Sequence, residues 1–180
     1  MVATHSSMVP LGTRMPSFSL PNALGKQWSP LGNSSGTLVV FICNHCPFVV
    51  HVAKTLVDIQ VLCTSNNIEM IGINSNDVAA YPDDAPEKMI QSAEQYGWEF
   101  PYLIDETQEV AKSFQATCTP DVYLYDSQGK LYYRGQFDKS RPSQGESNGE
   151  NLVQAIESLI LGKAPPSEQA PSIGCNIKWK

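Results

Sequence analysis

The sequence predicts an α/β domain in which helices cover both faces of a largely parallel sheet. Three observations carry that expectation. Thr37-Leu38-Val39-Val40-Phe41-Ile42 and the run from Ile68 to Ile73 are almost wholly apolar, as strands buried on both faces require. Between them, Val49, Val52, Leu56, Ile59 and Cys63 recur at three or four residues, the spacing of one helix face. A strand that returns parallel to its neighbour needs such a crossover.

The remaining elements follow in order. Phe18-Ser19-Leu20 and Gln27-Trp28 flank Asn22-Ala23-Leu24-Gly25, which predicts an N-terminal β-hairpin. The first long helix is expected from Pro47 to the Asn66-Asn67 stop. Asp83-Asp84-Ala85-Pro86-Glu87 reads as the start of a second helix, with acids near its positive end and proline in its first turn. That helix should run to Tyr96 and stop at Gly97. Phe100 to Ile104 is a short extended piece, and Glu106 to Phe114 a third helix. Val122 to Tyr125 and Leu131 to Arg134 flank Asp126-Ser127-Gln128-Gly129, a hairpin forming an antiparallel edge. A last helix fits Glu150 to Leu161, with Gly162 as its stop. The reading divides the chain into an N-terminal extension (1–14), a domain (15–162) and a C-terminal tail (163–180). The tail opens on Ala164-Pro165-Pro166 and is expected to lack regular structure, yet to pack back through Ile177 and Trp179.

Composition narrows the function. Across 180 residues, 18 acids against 12 bases give a formal charge of −6, which argues against nucleic acid as a partner. The longest apolar run, Leu38 to Cys43, has six residues, whereas roughly 18 are needed to span a bilayer. The first ten residues have neither a basic start nor an apolar stretch, so no secretory signal is expected and the chain reads as cytoplasmic. Five cysteines are too few for a disulfide scaffold, and the odd count leaves one thiol over.

The strongest candidate for chemistry is Cys43-Asn44-His45-Cys46-Pro47, at the junction of the central strand and the first long helix. Two thiols three residues apart on a first turn lie side by side, as a disulfide of about 2.05 Å demands. Free N–H groups there lower a thiol pKa. A protonated His45 between the thiols would stabilise a thiolate further. The competing reading is half of a zinc site, but His45, His51, Cys118 and Cys175 form no knuckle pattern, so no metal and no cofactor are expected. Cys63 lies on the apolar helix face and reads as core. Thr117-Cys118-Thr119-Pro120 precedes a strand, so Pro120 marks a strand start or a cis bond.

Together with Met15 to Leu20, Phe41 to Val49, Cys118 to Asp121, Tyr133 to Asp138 with Arg141-Pro142, and Gly174 to Trp179, these residues carry a resemblance covering about Met15 to Lys180. The chain resembles the thioredoxin-like superfamily in its peroxiredoxin-like redoxin branch, the alkyl hydroperoxide reductase/thiol-specific antioxidant group. The resemblance implies a thioredoxin-like fold with Pro120 cis and facing the Cys-x-x-Cys. On the thioredoxin pattern Cys43 attacks and Cys46 resolves. On the peroxiredoxin pattern Cys46, followed by Pro47, is the peroxidatic cysteine. The Thr of that pattern is Cys43 here, its Pro is Val39, and no Arg lies in Cys118-Thr119-Pro120. The thioredoxin buried acid likewise has no counterpart in Thr37 to Ile42.

The expectation is therefore a thiol–disulfide oxidoreductase acting on protein or small-molecule disulfides with a thiol reductant. A thiol peroxidase using Cys46, with antioxidant activity, is the alternative. A metal-binding or redox-sensing module without turnover is the third reading. The tail is expected to bring Cys175 toward Cys118, where it forms a second disulfide or relays one to Cys46.

Overall fold

The computed structural model describes residues 3–180, so the first two residues of the expected extension lie outside the described residues. In chain order the elements are β1 (Ala3–His5), β2 (Leu20–Pro21), β3 (Gln27–Trp28), β4 (Gly36–Phe41), α1 (Pro47–Val52), α2 (Thr55–Ser65) and β5 (Ile68–Asn74). A 3₁₀ turn (Pro82–Asp84) leads into α3 (Pro86–Tyr96). Then come β6 (Tyr102–Ile104), α4 (Glu109–Phe114), β7 (Cys118–Thr119), β8 (Asp121–Asp126), β9 (Leu131–Tyr133), α5 (Glu150–Ile160) and β10 (Ile173–Asn176).

The main sheet has the order β6-β5-β4-β8-β9. β4 pairs in parallel with β5, and β5 with β6; β8 and β9 add the antiparallel edge. Every residue of β4 is buried, as its apolar run predicts. Side-chain alternation divides it between two cores. Leu38 and Val40 pack with Leu56 and Ile59 of α2 and Leu152 and Ile156 of α5. Val39 and Phe41 face Ala111 and Phe114 of α4, with Phe18 and Leu20 from the N-terminal segment. This is the expected thioredoxin-like α/β arrangement with its N-terminal hairpin, β2 against β3. Among the described residues no helix is long and apolar enough to cross a membrane.

Three expectations are corrected. The single long helix from Pro47 is two, α1 and α2, broken at Ala53-Lys54. The apolar spacing runs through the break, but the Ala53 carbonyl accepts the indole N–H of Trp98 at 2.9 Å. Val57 N–H bonds to the Lys54 carbonyl, three residues back. The acids Asp83 and Asp84 belong to the 3₁₀ turn rather than to the first turn of α3, and Asp84 is wholly buried. The tail, opened by prolines, nevertheless ends in strand β10, which lies between β1 and β7 in a second sheet. Ile177 is buried, whereas Trp179 is 42% exposed and so is not its anchor.

Arg134 joins the N-terminal segment to the domain. Its guanidinium has no exposed surface, pairs with Asp121 at 3.2 Å, lies 4.3 Å from the Tyr123 ring centroid and donates to the Ser7 carbonyl. Removing one partner of a buried pair strands the other charge. Arg134→Ala is expected to destabilise the fold by about 3–5 kcal/mol in urea unfolding.

Asp138 organises the polar loop before α5. Its carboxylate accepts from Asn148 N–H at 2.9 Å, Gly149 N–H at 2.7 Å and the Ser147 hydroxyl at 2.7 Å. Burial alone would raise its pKa, but hydrogen bonds from Ser140, Gly149, Ser147 and Asn148 prevail and hold it down at about 2. A carboxyl depressed by folding contributes stability above its ordinary value of about 3.9. That contribution fades as pH falls toward the folded value. Asp138→Asn should cost about 2 kcal/mol at neutral pH. Thermal unfolding of this variant should also fall less steeply than wild type between about pH 4 and pH 2.

Candidate active site

The central strand delivers the thiol pair to one end of the sheet. Ile42 N–H continues the β4 ladder by bonding to the Ile73 carbonyl at 2.9 Å, and the chain then turns through Cys43 to Cys46. Pro47 starts α1, where a missing N–H costs nothing. Cys46 is the N-cap, with extended backbone (φ −69°, ψ 121°). Both thiols are buried, Cys43 at 1% and Cys46 at 0% exposure.

Two other strands close over them. The Thr119–Pro120 peptide is cis, as the resemblance implies. The Thr119 carbonyl oxygen lies 3.2 Å from Cys46 Sγ, and the Thr119 hydroxyl 3.5 Å from Cys43 Sγ. Paired alongside β7, β10 brings Cys175 Sγ to 2.7 Å from Cys46 Sγ. That separation exceeds the about 2.05 Å of a covalent disulfide and puts the two sulfurs in direct contact.

This corrects the expected approach of Cys175 to Cys118. The β10–β7 register sets Cys175 opposite Thr119, and Asn176 opposite Cys118. Strand alternation then turns the Cys118 and Cys175 side chains to different faces. Cys118 Sγ instead lies 3.7 Å from the Pro120 carbonyl, and burial pushes its thiol pKa up. Cys63 is buried in the apolar core, where burial pushes its thiol up to about 12.

A buried carboxylate that no motif singled out completes the site. Asp84 accepts the Asn44 backbone N–H at 2.8 Å and the Asn76 side-chain amide at 2.7 Å. His45 Nδ1 lies 2.8 Å from Asp84 Oδ2, at ion-pair distance but not aligned for a hydrogen bond. The His45 ring is parallel to Tyr81 at 5.9 Å between centroids. A buried acid thus stands near Cys43, on the turn before α3 rather than on the central strand. Its sequence signal, acids ahead of a proline, is also that of an ordinary helix start. Cys43, His45 and Asp84 each offer one ligand atom, all within 4.8 Å of one another, a donor set of the kind zinc accepts.

The three clustered thiols are electrostatically unequal. Hydrogen bonding from Cys175, then from Cys43, favours the Cys46 thiolate; the Thr119 side chain and Val49 N–H add to this, and together they outweigh burial. Cys46 is therefore held well below the ordinary thiol range. Cys43 is raised, first because its proton is engaged with Cys46, then by burial and by the Asp84 charge. Cys175 is raised chiefly by the same engagement with Cys46. Once Cys46 ionises, its neighbours are the donors.

The AhpC/TSA family model matches residues 11–134. An uncharacterised conserved protein of Geobacillus kaustophilus has a crystal structure 47% identical to this chain, covering 100% of this chain and 97% of that one with a TM-score of 0.96. A hypothetical protein of Sinorhizobium meliloti 1021 is 41% identical, covers 98% of both chains and gives a TM-score of 0.95. The thioredoxin domain of a thiol-disulfide oxidoreductase from Bacteroides vulgatus shares the fold at 14% identity, with a TM-score of 0.63 over 83% of this chain and 99% of that one. No curated protein sequence matches significantly.

The ordering of the thiols has a direct readout. A group with a lowered pKa is already ionised at pH values where ordinary thiols, near 8.5, are still protonated. The far-ultraviolet thiolate absorbance of reduced Cys43→Ser should therefore persist to below about pH 6, whereas Cys46→Ser should develop none until alkaline pH.

Proposed function

The chain belongs to the AhpC/TSA family, and on that premise we propose that it is a thiol–disulfide oxidoreductase whose working couple is Cys43 and Cys46. The observation that carries the reading is the convergence of Cys43, Cys46 and the cis Thr119–Pro120 turn, with Cys46 the thiol favoured as thiolate. The electrostatics support Cys46 as nucleophile and Cys43 as resolving thiol, the reverse of the order on the thioredoxin pattern.

In this mechanism the Cys46 thiolate attacks one sulfur of a substrate disulfide. The substrate S–S bond breaks, and its electron pair leaves with the other sulfur as a thiolate. Cys43 then gives up its proton, with the His45–Asp84 pair as the nearby relay, and attacks Cys46 Sγ. The Cys43–Cys46 bond forms, and the second substrate sulfur departs with an electron pair. The substrate gains two electrons, and a thiol reductant restores the couple. The partners are protein or small-molecule disulfides together with that reductant, and a reducing compartment such as the cytoplasm suits the cycle.

A second reading is favoured by one observation. The lowered thiol is the one followed by Pro47, the order a peroxidatic cysteine would have. The Cys46 thiolate would then take an oxygen from a hydroperoxide to give a sulfenic acid and an alcohol, and a neighbouring thiol would condense with it to a disulfide and water. The missing Thr, Pro and Arg of that pattern rank this reaction second.

Both activities are measured on the same variants. Cys46→Ser should lose at least about a thousandfold in model-disulfide reduction. Cys43→Ser combined with Cys175→Ser, which removes both neighbouring thiols, should accumulate a mixed disulfide on Cys46, visible by mass spectrometry. Peroxide consumption by wild type should stay below about 10⁶ M⁻¹s⁻¹. Faster peroxide turnover than disulfide reduction would reverse the ranking. Full activity of Cys46→Ser would remove the mechanism.

A further inference from the structure

β10 occupies a distinctive position. It lies antiparallel along β7, whose last residue, Thr119, has its carbonyl 3.2 Å from Cys46 Sγ. An extended peptide can bind a protein by adding itself to such a strand edge, with its side chains read in alternation. A strand laid on β7 in this register carries the residue opposite Thr119 to Cys46. In this chain that residue is Cys175, with its sulfur 2.7 Å from Cys46 Sγ.

The close approach depends on the residue just before the cysteine. A Cβ on Gly174 would collide with the Thr119 carbonyl oxygen, and would stand 2.6 Å from the Thr119 carbonyl carbon and 3.1 Å from Pro120 N. Those atoms are backbone and cannot swing aside. Flanking bonds hold the strand in register: Ser6 N–H to the Ser172 carbonyl at 3.0 Å, Ile177 N–H to the Thr117 carbonyl at 3.1 Å and Lys178 N–H to Asn76 Oδ1 at 2.8 Å. A cleft lined by Phe48, His51, Pro120, Arg141 and Ile173 opens at the start of the strand.

We propose that Ile173–Asn176 is a built-in substrate strand, which fills the position a cysteine-containing peptide takes on β7 and closes a Cys46–Cys175 disulfide when no external peptide is bound. The inference rests on the disulfide-exchange reading and adds a substrate class to it. Clients are disulfides borne on extended peptide segments, with glycine or a comparably small residue before the cysteine. They enter by displacing β10.

The covalent step is an internal exchange. From the oxidised Cys43–Cys46 couple, Cys175 loses its proton and attacks Cys46 Sγ. The Cys46–Cys175 bond forms, the Cys43–Cys46 bond breaks, and Cys43 leaves with the electron pair and takes up a proton. No external oxidant or reductant is consumed. A client strand on β7 removes Cys175 from reach and leaves Cys43 to resolve the mixed disulfide.

The test uses the full chain, oxidised with one equivalent of diamide and mapped by peptide mass spectrometry without reduction. Wild type should yield Cys46–Cys175, and Cys175→Ser should yield Cys43–Cys46. Gly174→Ala, which keeps all five thiols, should lower the Cys46–Cys175 fraction about tenfold or more, as overpacking against backbone implies. The same variant should reduce the disulfide dimer of the peptide Ile-Gly-Cys-Asn faster than wild type, with less change toward a small aromatic disulfide. A Cys43–Cys46 bond as the main product of wild type would overturn the proposal while leaving disulfide exchange intact. Loss of aromatic-disulfide reduction in wild type itself would defeat the exchange reading and the proposal with it. If Gly174→Ala does not fold, the wild-type and Cys175→Ser maps decide. A bond that switches from Cys46–Cys175 to Cys43–Cys46 supports the inference, and the same Cys43–Cys46 bond in both overturns it.

Discussion

The carboxylate of Asp84 is the constraint on which the site depends. It has no exposed surface, accepts from the Asn44 backbone N–H and the Asn76 side-chain amide, and lies at ion-pair distance from His45. A buried carboxylate without such partners would be costly; with them it ties the Cys43–Cys46 turn to the segment after β5. Asn76 then passes the restraint on, since its side-chain carbonyl accepts Lys178 N–H just beyond β10. The turn bearing two thiols and the strand bearing the third are thus aligned through one polar chain. Gln108 reinforces it by donating to the Ser75 and Lys178 carbonyls.

That alignment gives the thiols a graded chemistry. Three sulfhydryl groups converge, yet one negative charge among them is stabilised far better than two. The charge settles on Cys46 because Cys43, Cys175, Thr119 and Val49 all direct hydrogen-bond support at it. Cys43 and Cys175 are driven the other way by the same contacts. Their pKa values are raised first by that engagement with Cys46 and then by burial, with the Asp84 charge adding to the effect at Cys43. The two thiols that flank Cys46 are distinguished by where they sit. Cys43 is in the same turn, while Cys175 is on a strand from the far end of the chain.

Much of this was legible in the sequence. β4 and β5 were, because strands buried on both faces must be apolar without interruption, and so was the thiol pair at the start of a helix. The cis Thr119–Pro120 bond followed from the family resemblance. Other features depended on contacts between distant residues. The break at Ala53 is made by a Trp98 indole that periodicity cannot see. Asp84 resembled a helix-start acid until the fold turned it inward toward His45. Arg134 looked like the end of an edge strand, yet it is buried against Asp121 and Tyr123. Of the two thiols expected near Cys175, Cys46 is the one it meets; Cys118 is turned away because a register difference of one residue decides which face a side chain takes. The prolines at 165 and 166 concealed a strand that starts several residues later.

β10 is flanked on both edges, by β7 and by β1, so three short segments from widely separated parts of the chain share one ladder. β1 and β7 do not pair with one another, and β10 is what joins each of them to the sheet. Lifting β10 would leave the backbone amides that face it on both neighbours exposed to water together. The three strands then form one cooperative opening unit, smaller than the domain and less protected than β4 or β5. Amide hydrogen exchange in this unit would report whether Cys46 and Cys175 are joined, giving the redox state of a buried pair a signature in solvent access to the chain ends.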